Sequence, residues 1–206
     1  MADEQGGSAF VAELQRKIDK LLQDFQDGVL SREQFYAVYE HYMTQRMTLE
    51  EALATGRHDA VDLAKGTGAS TDFIKESLMA KPLGVAIYDN QSSLMVETLG
   101  LFDVPAETLN PLLDRLEDAV AAAEKDDTEV EPIAEQIGAG RWLFLAVGKH
   151  TRIVTLFQNE PSRKQRHHMQ RLHSDFEHAN ALFFLRREID PEKLAYPFLT
   201  FLFTEE

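Results

Sequence analysis

The run RWLFLAV, residues 141–147, constrains this chain more than any other stretch. At the two-residue repeat of a strand, Trp142, Phe144 and Ala146 point one way, and Leu143, Leu145 and Val147 the other. A strand apolar on both faces needs cover on both, which predicts the centre of a sandwiched sheet. Residues 152–157, RIVTLF, repeat the pattern more weakly. Between the two runs, GKHT reads as a turn. Gly148 supplies the permissive backbone position, Lys149 and His150 sit at a solvent-facing tip, and Thr151 re-enters the sheet.

Further strands are predicted at 83–88 and 94–99, joined by a turn at Asp89-Asn90, and at 131–137, where Pro132 suits an edge. A long helix follows Pro105 and Thr108, with Leu109, Leu113, Leu116, Val120 and Ala123 inward and Asp114, Glu117, Asp118 and Glu124 outward. Another runs from Ser162, its N-cap, to Phe184. A helix capped by Ser70 or Thr71 ends before Pro82. From residue 70 the order is helix, two strands, helix, three strands, helix. That order predicts an α/β domain with a five-stranded, mainly antiparallel sheet and helices on both faces.

Upstream the period changes. Phe10, Leu14, Ile18, Leu21 and Phe25 recur at three and four, and so do Phe35, Val38 and Tyr42. Gly28 separates the two stripes, and Ser31 with Gln34 forms a capping box. These features predict an N-terminal helical hairpin over 8–55, packed through Leu14, Ile18, Leu21, Phe35, Val38 and Tyr42. Thr48 and Glu51 predict a separate short helix at its end. Residues 56–69 read as a linker holding the domain boundary, 70–190 as the α/β domain, and 191–206 as an apolar tail. Tyr196 to Phe203 must dock, as an added strand or against the hairpin, because such a run left exposed invites aggregation.

Composition removes several function classes. Cysteine is absent, which excludes disulfides, thiolate nucleophiles and cysteine-ligated metals. A net charge of −14 argues against nonspecific nucleic-acid binding. No apolar run is long enough to span a membrane, and the acidic start lacks a secretory pattern, so a cytoplasmic location is expected. Charge is uneven along the chain. Residues 107–135 hold ten acidic and two basic side chains, whereas 162–171 hold four cations, two histidines and no acid. The basic run is either a partner-steering surface or a solvated helix face.

Tests for chemistry come back empty. GTGAS at 66–70 lacks the GxxxxGK spacing of a phosphate loop and follows no strand. Ser162 has no GxSxG context and serves better as a cap. Glu97 is flanked by Val96 and Thr98 but equally fits a solvent-facing strand position. His173 and Glu177 have the i,i+4 spacing of metal ligands, and His150 would have to supply a third. The expectation is that His173 borders the core and Glu177 pairs with it or with an arginine. No catalytic residue, metal or cofactor is assigned.

GVAIYDN at 84–90, the strands around GKHT and the order of elements from residue 70 resemble the roadblock/LC7 family of profilin-like, longin-related domains. Asn90-Gln91 stands where many members have a glycine-rich turn. The resemblance implies a non-enzymatic dimer that joins sheets through the third strand, with the middle helices side by side. Here that means 131–138 as the pairing edge and 108–124 as the neighbouring helix, with Ile133, Ile137, Leu116 and Val120 at the interface. Two such acidic helices would repel unless Glu117, Asp118 and Glu124 point outward or meet Arg115. The implied role is a scaffold or regulatory protein for a partner such as a small GTPase or signalling complex. Lys149, His150, Arg163, Lys164 and Arg166 form the candidate partner surface. The competing reading is a small-molecule sensor of the PAS or GAF kind, with a pocket lined by Tyr88, Trp142 and Phe144.

Overall fold

The computed structural model describes residues 2–202, with side chains from residue 6 onward. The chain forms two compact units, Met1–Met79 and Ala80–Glu206.

The first unit is helical. Helices α1 (Ala2–Gln26) and α2 (Arg32–Ala54) form the hairpin. Its turn uses Gly28 at φ +72°, a left-handed conformation that a glycine adopts without steric cost. Ser31 caps α2 by accepting from the Gln34 N–H, while the Gln34 side chain accepts from the Ser31 N–H. Leu14, Leu21, Phe35, Val38 and Tyr42 are buried together, and Ile18 packs half-buried against them. Each such aliphatic side chain contributes about 2 kcal/mol of apolar burial.

Two expectations fail in this unit. Helix α2 does not restart at Thr48, whose hydroxyl donates to the Thr44 carbonyl inside a continuous helix. Gln45, Leu49 and Ala52 simply extend the buried stripe, and no breaker precedes them. Nor does the boundary fall at 56–69. Helix α3 (Ala60–Lys65) buries Ala60 and Ala64 in the hairpin core, and Ile74 of α4 (Thr71–Ser77) packs there too. The Gln34 side chain also donates to the Lys75 carbonyl at 2.7 Å. The stretch from 56 to 79 therefore belongs to the helical unit, and α4 is not the first element of the sheet domain.

The second unit is a five-stranded sheet. Its strands are β1 (Lys81–Asp89), β2 (Met95–Gly100), β3 (Ile133–Gly138), β4 (Arg141–Val147) and β5 (Thr151–Gln158). The spatial order is β2-β1-β5-β4-β3, and every neighbouring pair is antiparallel. The central strand is thus β5, not β4. It is β5 that hides every residue from Thr151 to Phe157. Strand β4 is still interior and covered on both faces, with Leu143 and Leu145 wholly buried.

Helix α5 (Ala106–Asp126) covers one face, where Leu109, Leu112 and Leu116 meet Leu143, Leu145, Val154 and Leu156. Helix α6 (Arg163–Ala179) covers the other through Met169, Leu172 and Phe176, which meet Trp142, Phe144, Ile153 and Phe157. Helix α6 stops five residues short of Phe184, because Asn180 turns the chain. Its amide donates to the Ala195 carbonyl and accepts from the Ala195 N–H, both at 2.8 Å.

A short helix α7 (Ala181–Arg186), a 3-10 turn (Pro191–Lys193) and α8 (Leu199–Leu202) follow. The described part of the tail is not an added strand. Leu194 and Phe198 are buried on the α6 face of the sheet, with Tyr196 and Phe201 packed against them. The remainder of the expected tail, Phe203 to Glu206, lies outside the described residues.

Candidate interaction surface

The GKHT turn is held more firmly than its sequence suggests. The Glu177 carboxylate, projecting from the last turn of α6, accepts from the backbone N–H of Lys149 (2.8 Å), His150 (2.8 Å) and Thr151 (2.7 Å). It also accepts from the Thr151 hydroxyl at 2.9 Å. The Gly148 N–H donates to the Thr151 carbonyl, and the Asn90 side chain donates to the Gly148 carbonyl. Gly148 is required by proximity, since a Cβ there would meet Glu177 Oε1 at 2.5 Å.

The His173 ring lies beneath this turn with Nε2 2.8 Å from Thr151 Oγ1 and 3.8 Å from Glu177 Oε1. Burial pushes the His173 pKa down to about 4, against the opposing pull of Glu177, so the ring is neutral at pH 7. Burial raises Glu177, but the His150 and Thr151 donors and the His173 ring outweigh it and hold the carboxyl below the usual range. His150 is not a free tip residue. Its ring stacks on Phe184 with centroids 5.5 Å apart, leaving Lys149 as the exposed side chain. Among the described residues, no three His, Asp or Glu side chains are placed to hold a metal ion.

The basic residues fall elsewhere on α6. Arg163, Lys164, His167 and Arg171 are exposed, while Arg166 and His168 are half-buried. Arg163, Lys164, His167, His168 and Arg171 line a groove of about 750 Å³, and the His168 ring also meets Phe201 edge-on at 5.0 Å. Fourteen residues of helix separate Arg163 from Glu177, roughly 20 Å at the helical rise. The expected surface of Lys149, His150, Arg163, Lys164 and Arg166 is therefore two patches at opposite ends of one helix. Ser162 is the cap of α6, its side chain accepting from the Gln165 N–H.

The two sheet edges differ. At β2, the Glu97 carboxylate accepts from the Thr98 N–H at 2.8 Å, and the Thr98 hydroxyl donates to Met95 Sδ. A backbone donor on that edge is thus answered from within the strand. Strand β3 has a neighbour on one side only, and Gln136 and Gly138 are exposed along it. Four residues expected at its interface sit differently. Leu116 is wholly buried in its own core, and Val120 is half-buried on α5. Ile133 and Ile137 turn under α5 and are partly buried there. What β3 presents outward is backbone together with Gln136 and Gly138.

The acidic helix is partly neutralised within the unit. The buried Arg152 guanidinium donates from Nη1 to Glu117 at 2.6 Å and from Nη2 to the Ser93 hydroxyl at 2.5 Å. Arg115 pairs with Glu135 of β3 rather than with the acids of its own helix. Sequence reading missed the Arg152–Glu117 pair, because alternation on β5 marks Arg152 only as a break in an apolar run.

These features define an α/β protein with an antiparallel five-stranded sheet and a separate helical unit. No family model, characterised protein or solved structure matches the chain.

Proposed function

We propose that the chain is a non-enzymatic, self-associating scaffold or regulatory protein, whose sheet units join edge to edge through β3. One observation carries this reading. Strands β2 and β3 both end the sheet, but on β2 one outward N–H, that of Thr98, is already met by Glu97, whereas the outer side of β3 is unpaired by any described strand. An unblunted edge is a template for a further strand. Neutralisation of Glu117 by Arg152 lowers the repulsion between two α5 helices brought side by side. A small GTPase or signalling complex is the proposed partner, with the α6 basic groove as a candidate contact.

The sensing alternative loses its specific pocket. Trp142 and Phe144 belong to the α6 face, whereas Tyr88 packs on the α5 face, so the three cannot line one cavity. The α6 face carries one cluster of buried aromatic and aliphatic side chains.

Light scattering after gel filtration tests the association. The parent chain should run at twice its 23.4 kDa mass or more at micromolar concentration. Replacing Gln136 and Gly138 together by Asp sets like charges opposite each other across a paired edge and should yield monomer. Both positions are exposed and a Cβ at residue 138 meets nothing within 4 Å, so the fold should persist. A monomeric parent, or an unchanged mass in the folded variant, would contradict the β3 assignment. Ile133→Lys is a poor probe, because Ile133 contributes to the core.

A further inference from the structure

The glycine-rich stretch 66–71, set aside as a linker, borders a cleft of about 360 Å³ inside the helical unit. The size is that of a small-molecule pocket. Lys17 of α1, His41, Tyr42 and Gln45 of α2, Lys65 of α3 and the backbone of 67–71 line it. Gly68 sits at φ +75°, and a Cβ there would come within 3.3 Å of the His41 ring, so glycine lets the loop close on the histidine.

Some polar side chains of the cleft are engaged: Lys17 pairs with Glu13, Thr67 donates to the Ala64 carbonyl, and Ser70 accepts from the Phe73 N–H. Others are not. Gln45 is only 8% exposed and Tyr42 7%, yet neither side chain has a hydrogen-bond partner among the described residues, and neither does the His41 ring. These polar atoms are not sealed from solvent, so the cleft leaves them open to a ligand. The side chains bring donors to the cleft from two ammonium groups, a phenol, an amide and an imidazole, the last three of which can also accept. One carboxylate is near, Glu13, which pairs with Lys17 at 2.7 Å but is itself open to solvent. The Lys65 ammonium lies over the Phe10 ring at 5.7 Å.

We propose that this cleft binds a phosphate group, free or as a small phosphomonoester, clasped by Lys17, Lys65, His41, Tyr42 and Gln45. Donors from three helices and a loop converge on one volume, which suits a compact multi-acceptor dianion better than a planar carboxylate with two oxygens. The charge pattern agrees. Burial lowers the His41 pKa and the Lys17 charge lowers it further, as expected where positive potential gathers in a chain that is strongly acidic overall. A bound dianion would reverse that shift. Lys17 from α1, Lys65 from α3 and its own neighbour Tyr42 line the cleft with His41, and the charge acting on its ring is that of Lys17.

The test is an NMR titration of the full-length protein at constant ionic strength. Inorganic phosphate and glycerol 3-phosphate are the probes, and acetate and chloride are the controls. Phosphate should give saturable shifts of the His41 ring protons, the Gln45 side-chain amide and the 67–71 backbone, and should raise the His41 pKa. Tighter binding of glycerol 3-phosphate identifies an ester as the ligand, and binding of inorganic phosphate alone identifies the free ion. Lys17→Gln and Lys65→Gln together should weaken binding about tenfold or more. Both lysines are exposed, so the fold should survive. Should that variant unfold, Lys65→Gln alone should still weaken binding several-fold. Equal shifts with acetate or chloride, or unchanged affinity in a folded lysine variant, would overturn the proposal.

Discussion

The GKHT turn and the β3 edge are both exposed backbone in the same unit, and they are finished in opposite ways. In the turn, the N–H groups of residues 148–151 all have acceptors, three of them on one carboxylate of α6. At β3 the outer side of the strand meets no described strand. A chain that completes one stretch with its own side chains and leaves another open separates structural polarity from polarity available to a partner. The apparent reactive loop is a piece of architecture, and the unremarkable edge is the candidate for contact.

Removing Glu177 should break the comparison most sharply, since Glu177→Ala strips three N–H groups and the Thr151 hydroxyl of their acceptor. Unmet donors cost about 1–3 kcal/mol each where water is excluded, and solvent at exposed Lys149 replaces part of the loss. We expect the sheet unit to lose about 3 kcal/mol by urea unfolding, and Glu177→Gln, which keeps one acceptor oxygen, about half as much. The β3 edge should keep its behaviour in both variants.

Acid should act on the same turn. The unfolded His173 imidazole takes up a proton near pH 6.5, whereas the folded ring stays neutral until about 4. Between those values the unfolded state binds more protons, so stability falls as pH falls, by up to about 3 kcal/mol. Glu177, also lowered, adds to the loss below its ordinary value of 4.5, because the unfolded carboxyl protonates first. Urea midpoints measured from pH 7 to 4 should follow this slope, and His173→Gln should flatten its upper part. A flat profile in the parent would mean that the ring is already charged in the folded state.

Much of the sheet was legible because its signal is local. Alternation in RWLFLAV and RIVTLF, with turns at Asp89 and Gly148, is written in neighbouring residues, and five strands in the expected order follow from it. The errors arose where partners are distant in sequence. Thr48 reads as a cap until the i−4 carbonyl is seen to satisfy it. Ala60 and Ala64 look like linker residues until the hairpin core closes on them. Glu177 pairs with His173 by spacing alone, but its main work on the turn depends on 26 to 28 residues of intervening chain. The family resemblance places Leu116 at an interface, while its own helical stripe commits it to the core.

The open edge itself admits a direct measurement that moves the fold very little: amide hydrogen exchange of β3 and β2 at several protein concentrations. If sheets join through β3, outer amides between Ile133 and Gly138 should become more protected as concentration rises, while those of Met95 to Gly100 stay unchanged. Protection of β3 that does not vary with concentration, or a concentration-dependent gain at β2 instead, would contradict self-association through this edge.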